Sequence, residues 1–254
     1  MPHTAMMPIL RPQQTLVEQV YEAILSRISS GAYALDTRLI QEEVAESLGV
    51  SRQPVQQALL LLRNEGILTS APGRGLMIAP LGADKARDLY EIREILDKLA
   101  CMKAAERGSE RARAEGQPYI DRGWQAVERN SIPALVKADI DFHHFIYELS
   151  GNPMIAETSS PHWAYLRCVM GAVLMSGGTP AHIWQQHEAI MQAIKDGNVE
   201  LAGQLASTHI SYASGAVQRK IADDQALESP KSQQAPQASQ APPVSREGMK
   251  VKRA

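Results

Sequence analysis

Asp139, His143, His187 and His209 are the residues whose types and spacing could do chemistry in this chain. Asp139 and His143 stand four residues apart, so on a helix their side chains stack one turn from each other. The stretch around them reads as such a helix. Leu135, Ala138, Phe142, Ile146 and Leu149 form an apolar stripe, while Lys137, Asp141, His144 and Glu148 form the opposite, wet face. Asp139 and His143 fall on the inner edge of the stripe, where an unpaired polar group is costly. His187 is in register with Ile183, Ile190 and Ile194, and His209 follows Leu201 and Leu205 by helical steps, so both also face inward. One oxygen and three nitrogens converging from three helices suit a divalent transition metal, with zinc, nickel and manganese all admissible. The same residues have a second reading, in which each histidine donates to a backbone carbonyl and Asp139 pairs with one of them. His3, His144, His162 and His182 read as surface histidines.

A second stretch, Gln41 to Ile78, reads as helix, sharp turn, helix and a two-stranded hairpin. Val44, Ala45 and Leu48 mark one face of the first helix, and Gly49 stands where a left-handed residue ends it. Ser51 is placed to cap the next helix through its hydroxyl, and Pro54 still lies in the first turn, where a missing N–H costs little. Val55, Ala58, Leu59 and Leu62 recur at helical spacing, which turns Gln53, Gln56, Gln57 and Arg63 outward. Leu68-Thr69-Ser70 and Leu76-Met77-Ile78 are short apolar runs joined by Ala71-Pro72-Gly73-Arg74-Gly75. Such a winged helix-turn-helix lays its second helix in the major groove of DNA.

Residues Ile24 to Pro80 resemble the DNA-binding domain of GntR-family bacterial transcription regulators. The resemblance rests on Ser30-Gly31, Arg38-Leu39, Leu48-Gly49-Val50-Ser51-Arg52 with Pro54-Val55, Ala58-Leu59, Glu65-Gly66 and Pro72-Gly73-Arg74-Gly75. It implies DNA contacts from Arg38, Arg52, Gln53, Gln56, Arg63, Gly73 and Arg74. The family usually places Arg then Glu after the Pro-Val step, and this chain has Gln56 and Gln57 instead. That exchange removes a phosphate or guanine contact.

Residues Asp84 to about Ile221 are similar to the FCD ligand-binding domain of FadR-type GntR regulators. The marks are Arg93-Glu94-Ile95-Leu96, Asp139-Ile140-Asp141-Phe142-His143, Ser150-Gly151-Asn152-Pro153, His187-Glu188-Ala189-Ile190 with Ala193-Ile194, and His209-Ile210. In the metal-binding members of that family an Asp and three His hold the ion, and the resemblance carries those roles to Asp139, His143, His187 and His209. It further implies a small organic acid whose carboxylate completes the coordination, met by Arg93 through a charge-assisted fork, with Arg167 as a second candidate. Trp163, Tyr165 and Trp184 are placed to wall that cavity.

The elements that must position these residues make a mainly α chain. A flexible arm (1–14) precedes the winged domain (15–80), whose lead helix runs from Thr15 to Ser30 with Leu16, Val20, Ile24 and Ile28 on one face. A linker (81–83) leads to an all-α helical bundle (84–222), with helices expected over 84–107, 109–129, 132–150, 153–175, 180–196 and 199–222. The tail (223–254) is rich in Pro, Gln, Ser and Ala, ends with Arg246, Lys250, Lys252 and Arg253, and is expected to be disordered.

The 254 residues suffice for two modest domains, and 44% hydrophobic content supports two cores. The net charge of −2, with six Arg, no Lys and seven acidic residues in 1–80, gives no bulk basicity. DNA affinity must therefore rest on a few placed cations, chiefly Arg38, Arg52, Arg63 and Arg74, and depend on salt. Cys101 and Cys168 sit in apolar helical contexts as buried reduced thiols. No signal peptide or long apolar span is present, so a soluble cytoplasmic chain without membrane contact is expected. The expected function is a dimeric, ligand-responsive repressor on a palindromic operator, with Leu60 and Leu61 as apolar residues beside the recognition face. The alternative is a metal-dependent hydrolase in which the Asp/His cluster activates water.

Overall fold

The computed structural model describes residues 14–34 and 37–228, two units of mainly helical structure. The arm expected over 1–14 and the tail from 229 onward lie outside the described residues, apart from Gln14. In the first unit α1 (Leu16–Ser29) starts at a capping box: the Thr15 hydroxyl accepts from the Glu18 amide, and the Glu18 carboxylate accepts from the Thr15 amide. Val20, Ile24, Leu25 and Ile28 are buried along it, while Leu16, in its first turn, is exposed. A short strand β1 (Arg38–Leu39), α2 (Gln41–Leu48), α3 (Arg52–Asn64) and strands β2 (Leu68–Ser70) and β3 (Leu76–Ile78) follow.

Gly49 ends α2 in the left-handed region at φ 66°, which sets the sharp angle between α2 and α3. Val55, Ala58, Leu59 and Leu62 are buried against α1, as their spacing requires. Two expectations are corrected. Ser51 occupies the N-cap of α3 but makes no side-chain cap bond. The sheet has three strands in the order β1-β3-β2, all antiparallel, with Arg38 opposite Met77. A two-residue strand has no periodicity of its own, so β1 becomes a strand only because β3 presents an unpaired edge to it.

The second unit is helical throughout: α4 (Ala83–Arg107), α5 (Ser109–Glu115), α6 (Gln117–Glu128), α7 (Ile132–Leu149), α8 (Pro153–Ser159), α9 (Trp163–Met175), α10 (Pro180–Lys195) and α11 (Val199–Glu228). The helix expected over 109–129 is broken at Gly116, just before Pro118. The one expected over 153–175 is broken by a 3-10 turn, Ser160–His162, around Pro161. Proline in a helix interior removes a hydrogen bond and clashes with the preceding turn, which places both breaks. The last helix extends past the expected end at 222 to Glu228. Long helices α4 and α11 lie against each other, and α7 and α10 close the bundle around Phe142, Ile146, Trp184 and Ile190. Cys101 is buried in this core, and Cys168 on α9 is buried against the core of the first unit. Burial pushes both thiols up, Cys168 to about 12, so both are protonated. Among the described residues no helix is long and apolar enough to cross a membrane.

Candidate functional site

Three helices bring four inward polar residues to one point. The apolar stripe Leu135, Ala138, Phe142, Ile146 and Leu149 is buried as its spacing requires, and it turns Asp139 and His143 toward α10 and α11. His187 on α10 and His209 on α11 meet them there, with one ligand atom from each of the four within 4.8 Å of the others. His209 is buried alongside Ala202, Ala206 and Ile210, while Leu201, one of the residues used to infer its direction, is exposed. The His187 and His209 Nε2 atoms are 3.1 Å apart. Asp139 Oδ1 is 3.5 Å from His187 Nε2, and Asp139 Oδ2 is 3.8 Å from His143 Nε2.

The backbone-carbonyl reading of these histidines does not fit their partners. The Asp97 carboxylate faces His143 Nδ1 at 3.0 Å, and the Gln186 side-chain oxygen faces His209 Nδ1 at 2.9 Å. Each acceptor fixes a proton on Nδ1 and leaves the Nε2 lone pair aimed at the centre, an outer-shell arrangement typical of ligating histidines. Burial, and after it the neighbouring imidazoles, pushes His187 and His209 well below the ordinary histidine value, so both are neutral. Asp139 Oδ2 and His143 Nε2 are buried and have no hydrogen-bond partner, and neither has His187 Nδ1, on the outer side of its ring. Buried polar atoms of this kind are rare. A carboxylate oxygen and three imidazole nitrogens, two of them neutral and two of the four atoms orphaned, fit a divalent transition ion.

Asp97 was missed by sequence reasoning, as was Gln186. Arg93 and Asp97 stand four residues apart on the inward face of α4, and that spacing was the available signal. The Arg93 guanidinium donates from Nε to Asp97 at 3.0 Å, and the Tyr147 hydroxyl donates to Asp97 at 3.1 Å. Burial alone would raise the Asp97 carboxyl, but the His143 imidazole and the Arg93 guanidinium beside it hold it at about 2. Arg93 Nη2 is buried without a partner, and the guanidinium lies 5.3 Å from the Trp163 ring. His182, expected to be an ordinary surface residue, accepts from the Gln186 amide at 3.1 Å and so holds the group that orients His209.

A cavity of about 300 Å³ opens beside this centre, with Arg93, Asp139, His209 and Trp184 in its wall. Arg167 is not brought to it. Its guanidinium reaches back to Glu22 on α1 at 2.6 Å, although Met170 and Leu174, which follow it on the same face of α9, line the cavity. Of the expected aromatic walls only Trp184 is in place. Trp163 lies behind the His143 ring, and Tyr165 faces the junction between the units, donating to the Gly82 carbonyl at 3.4 Å.

In the first unit Arg52, Gln53, Gln56 and Arg63 are exposed on α3. The wing tip, Gly73 with Arg74, stands beside the start of that helix. Arg52 and Arg74 share Glu42 Oε1 at 3.2 and 2.9 Å, and Arg38 donates to the Pro72 carbonyl at 2.6 Å. Three of the four expected cations therefore gather at one end. Arg63 is eleven residues further along α3, about 16 Å away on the same helical face.

Comparison with known proteins agrees with this geometry. Residues 16–78 match the family model described as bacterial regulatory proteins, gntR family, and residues 88–212 match the FCD domain. The chain is 29% identical to the HTH-type transcriptional regulator McbR of Escherichia coli over 59% of its length and 67% of the relative's. It is 22% identical to the HTH-type transcriptional repressor RspR of E. coli, over 83% of its length and 92% of the relative's. The solved structure of E. coli McbR/YncC superposes with a TM-score of 0.69 at 24% identity, covering 82% of this chain and 99% of that one. These relatives and domains are those of transcriptional regulators, which removes the hydrolase reading of the Asp/His cluster. With a gntR-type winged helix-turn-helix followed by an FCD domain, the chain belongs to the gntR family and is a DNA-binding transcriptional regulator.

Proposed function

We propose that the chain is a homodimeric cytoplasmic repressor whose affinity for a palindromic operator is set by a small organic acid bound at a divalent metal site. The observation that carries this reading is that three of the buried polar atoms without partners, Asp139 Oδ2, His143 Nε2 and Arg93 Nη2, stand at this one centre. A metal held by Asp139, His143, His187 and His209 supplies a Lewis-acidic anchor for an anion. Arg93 supplies a second, fixed positive charge in the same cavity, and its buried Nη2 gains a hydrogen bond only when an anion arrives. Zinc, nickel and manganese all accept this donor set.

The repressor role is favoured by the likeness to RspR, which carries that word in its name. A dimer presents two α3 helices to two half-sites. Leu60 and Leu61 on α3 are exposed, and a more continuous apolar stripe runs along α4 through Ile92, Ile95 and Leu99. That stripe favours pairing through the helical unit, with the winged units left free to face DNA. An effector that binds one arrangement of the winged units better than the other then changes operator affinity by that difference.

The test is selection of bound DNA from a random pool by the metal-loaded chain, followed by release with a panel of carboxylates. The expected result is a palindrome bound by a dimer in sedimentation and weakened by at least one acid only while metal is present. Release that is indifferent to chelation overturns the metal-anchored reading.

On the DNA face, Glu42→Gln is expected to tighten operator binding by roughly two- to fivefold at low salt. The substitution removes the one carboxylate shared by Arg52 and Arg74, leaving both free for phosphates. Anisotropy titration across salt concentrations reads the change, and unchanged affinity would mean that neither arginine touches DNA.

A further inference from the structure

The cavity beside the Asp/His cluster is unevenly built. Arg93, Asp139 and His209 supply charge and ligand atoms at one end. Beyond them the wall is Val136, Met170, Val173, Ile183, Trp184 and Val217, all apolar. Three of the four hydroxyls in the lining are already engaged, and the fourth, on Tyr90, stands at the Arg93 end. Thr179 and Tyr212 bond to each other at 2.9 Å, and Ser176 donates to the Ala172 carbonyl at 3.0 Å. The remaining charged lining groups, Arg219, Lys220 and Asp223, lie at least ten residues from His209 along α11, about 15 Å away. Arg93 itself is 5% exposed, and its Nη2 is a buried charged donor without a partner at the Asp139 and His209 end of the cavity.

We propose that the effector is a carboxylate with an apolar body, an alkanoic or arylalkanoic acid, and not a polyhydroxy acid. This rests on the carboxylate reading above and narrows it to a chemical class. A carboxylate meets Arg93, and the body it carries lies against Val136, Val173, Ile183 and Trp184. Each methylene removed from water there adds to affinity. Each hydroxyl carried against Val136, Val173 and Ile183 loses its water partners and gains no hydrogen bond from those side chains in return.

The experiment is calorimetric titration of the full-length, zinc-loaded chain, freed of excess metal, with acetate, butyrate, hexanoate and gluconate. Affinity is expected to rise about fourfold per methylene from acetate to hexanoate, with a negative heat-capacity change. Gluconate, with the same six-carbon length as hexanoate, is expected to bind at least about tenfold more weakly. Val173→Ser is expected to flatten the dependence on chain length. A flat series, or gluconate binding as tightly as hexanoate, overturns the apolar class while leaving a carboxylate effector in place. A chain-length dependence untouched by Val173→Ser overturns the assignment to this cavity. Failure of all four acids to bind while zinc stays bound overturns the carboxylate reading itself, an outcome distinct from the other two.

Discussion

Asp97→Asn is expected to weaken divalent-metal binding by roughly 10- to 100-fold, although residue 97 is not among the proposed ligands. Asp97 is 1% exposed and accepts from Arg93, His143 and Tyr147 together. The isosteric amide keeps the volume but loses the charge, so His143 becomes a poorer donor and Arg93 is left as a buried cation without its counter-charge. Removing one partner of a buried pair costs about 3–5 kcal/mol, so the metal-free variant should also unfold at a clearly lower temperature. Competition against a chelating dye reads the first effect and calorimetry the second. The control is Asp141→Asn, which removes the same charge from the same cluster of helices. Asp141 pairs with Lys137 at 2.8 Å on an exposed face, where a pair contributes about 0–1 kcal/mol. Equal loss of metal from both variants would show that overall charge, not the oriented His143, governs binding.

Gly171→Ala is expected to uncouple the two units while sparing the metal centre. On α9, residue 171 packs against the backbone of Ser29 at the end of α1, and a Cβ placed there would overlap the Ser29 carbonyl. A carbonyl on a helix end cannot move aside as a side chain can, so α1 and α9 must separate. Overpacking of this kind costs about 1–3 kcal/mol. The same helix carries Arg167, bonded to Glu22 of α1, Cys168, buried in the core of the winged unit, and Val173, in the wall of the effector cavity. A helix that touches both the cavity and the winged unit is the physical route by which one can bias the other. The variant is therefore expected to bind metal normally and to show a smaller ratio between operator affinities with and without effector. Anisotropy titrations give that ratio, and a ratio equal to that of the parent chain would sink the proposed role of α9.

Much of this molecule follows from neighbours in sequence. The winged fold is legible because its determinants are local: Gly49 must adopt a left-handed turn, and Val55, Ala58, Leu59 and Leu62 share one side of a helix whatever else surrounds it. The same periodicity turns Asp139, His143, His187 and His209 inward, and the resemblance to FCD domains gave the four a shared role. What periodicity does not carry is distance between elements. Strand β1 exists only because β3 lies beside it. Arg167 and Tyr165 sit on α9 at spacings that suit a cavity wall, yet the rotation of that helix against α1 sends one to Glu22 and the other to Gly82. Asp97 and Gln186 reach the histidines because α4 packs across α7 and α10 across α11, contacts that join residues 46 and 23 positions apart. Spacing along a helix sets which way a side chain faces. Only the packing of one helix on another sets what it faces.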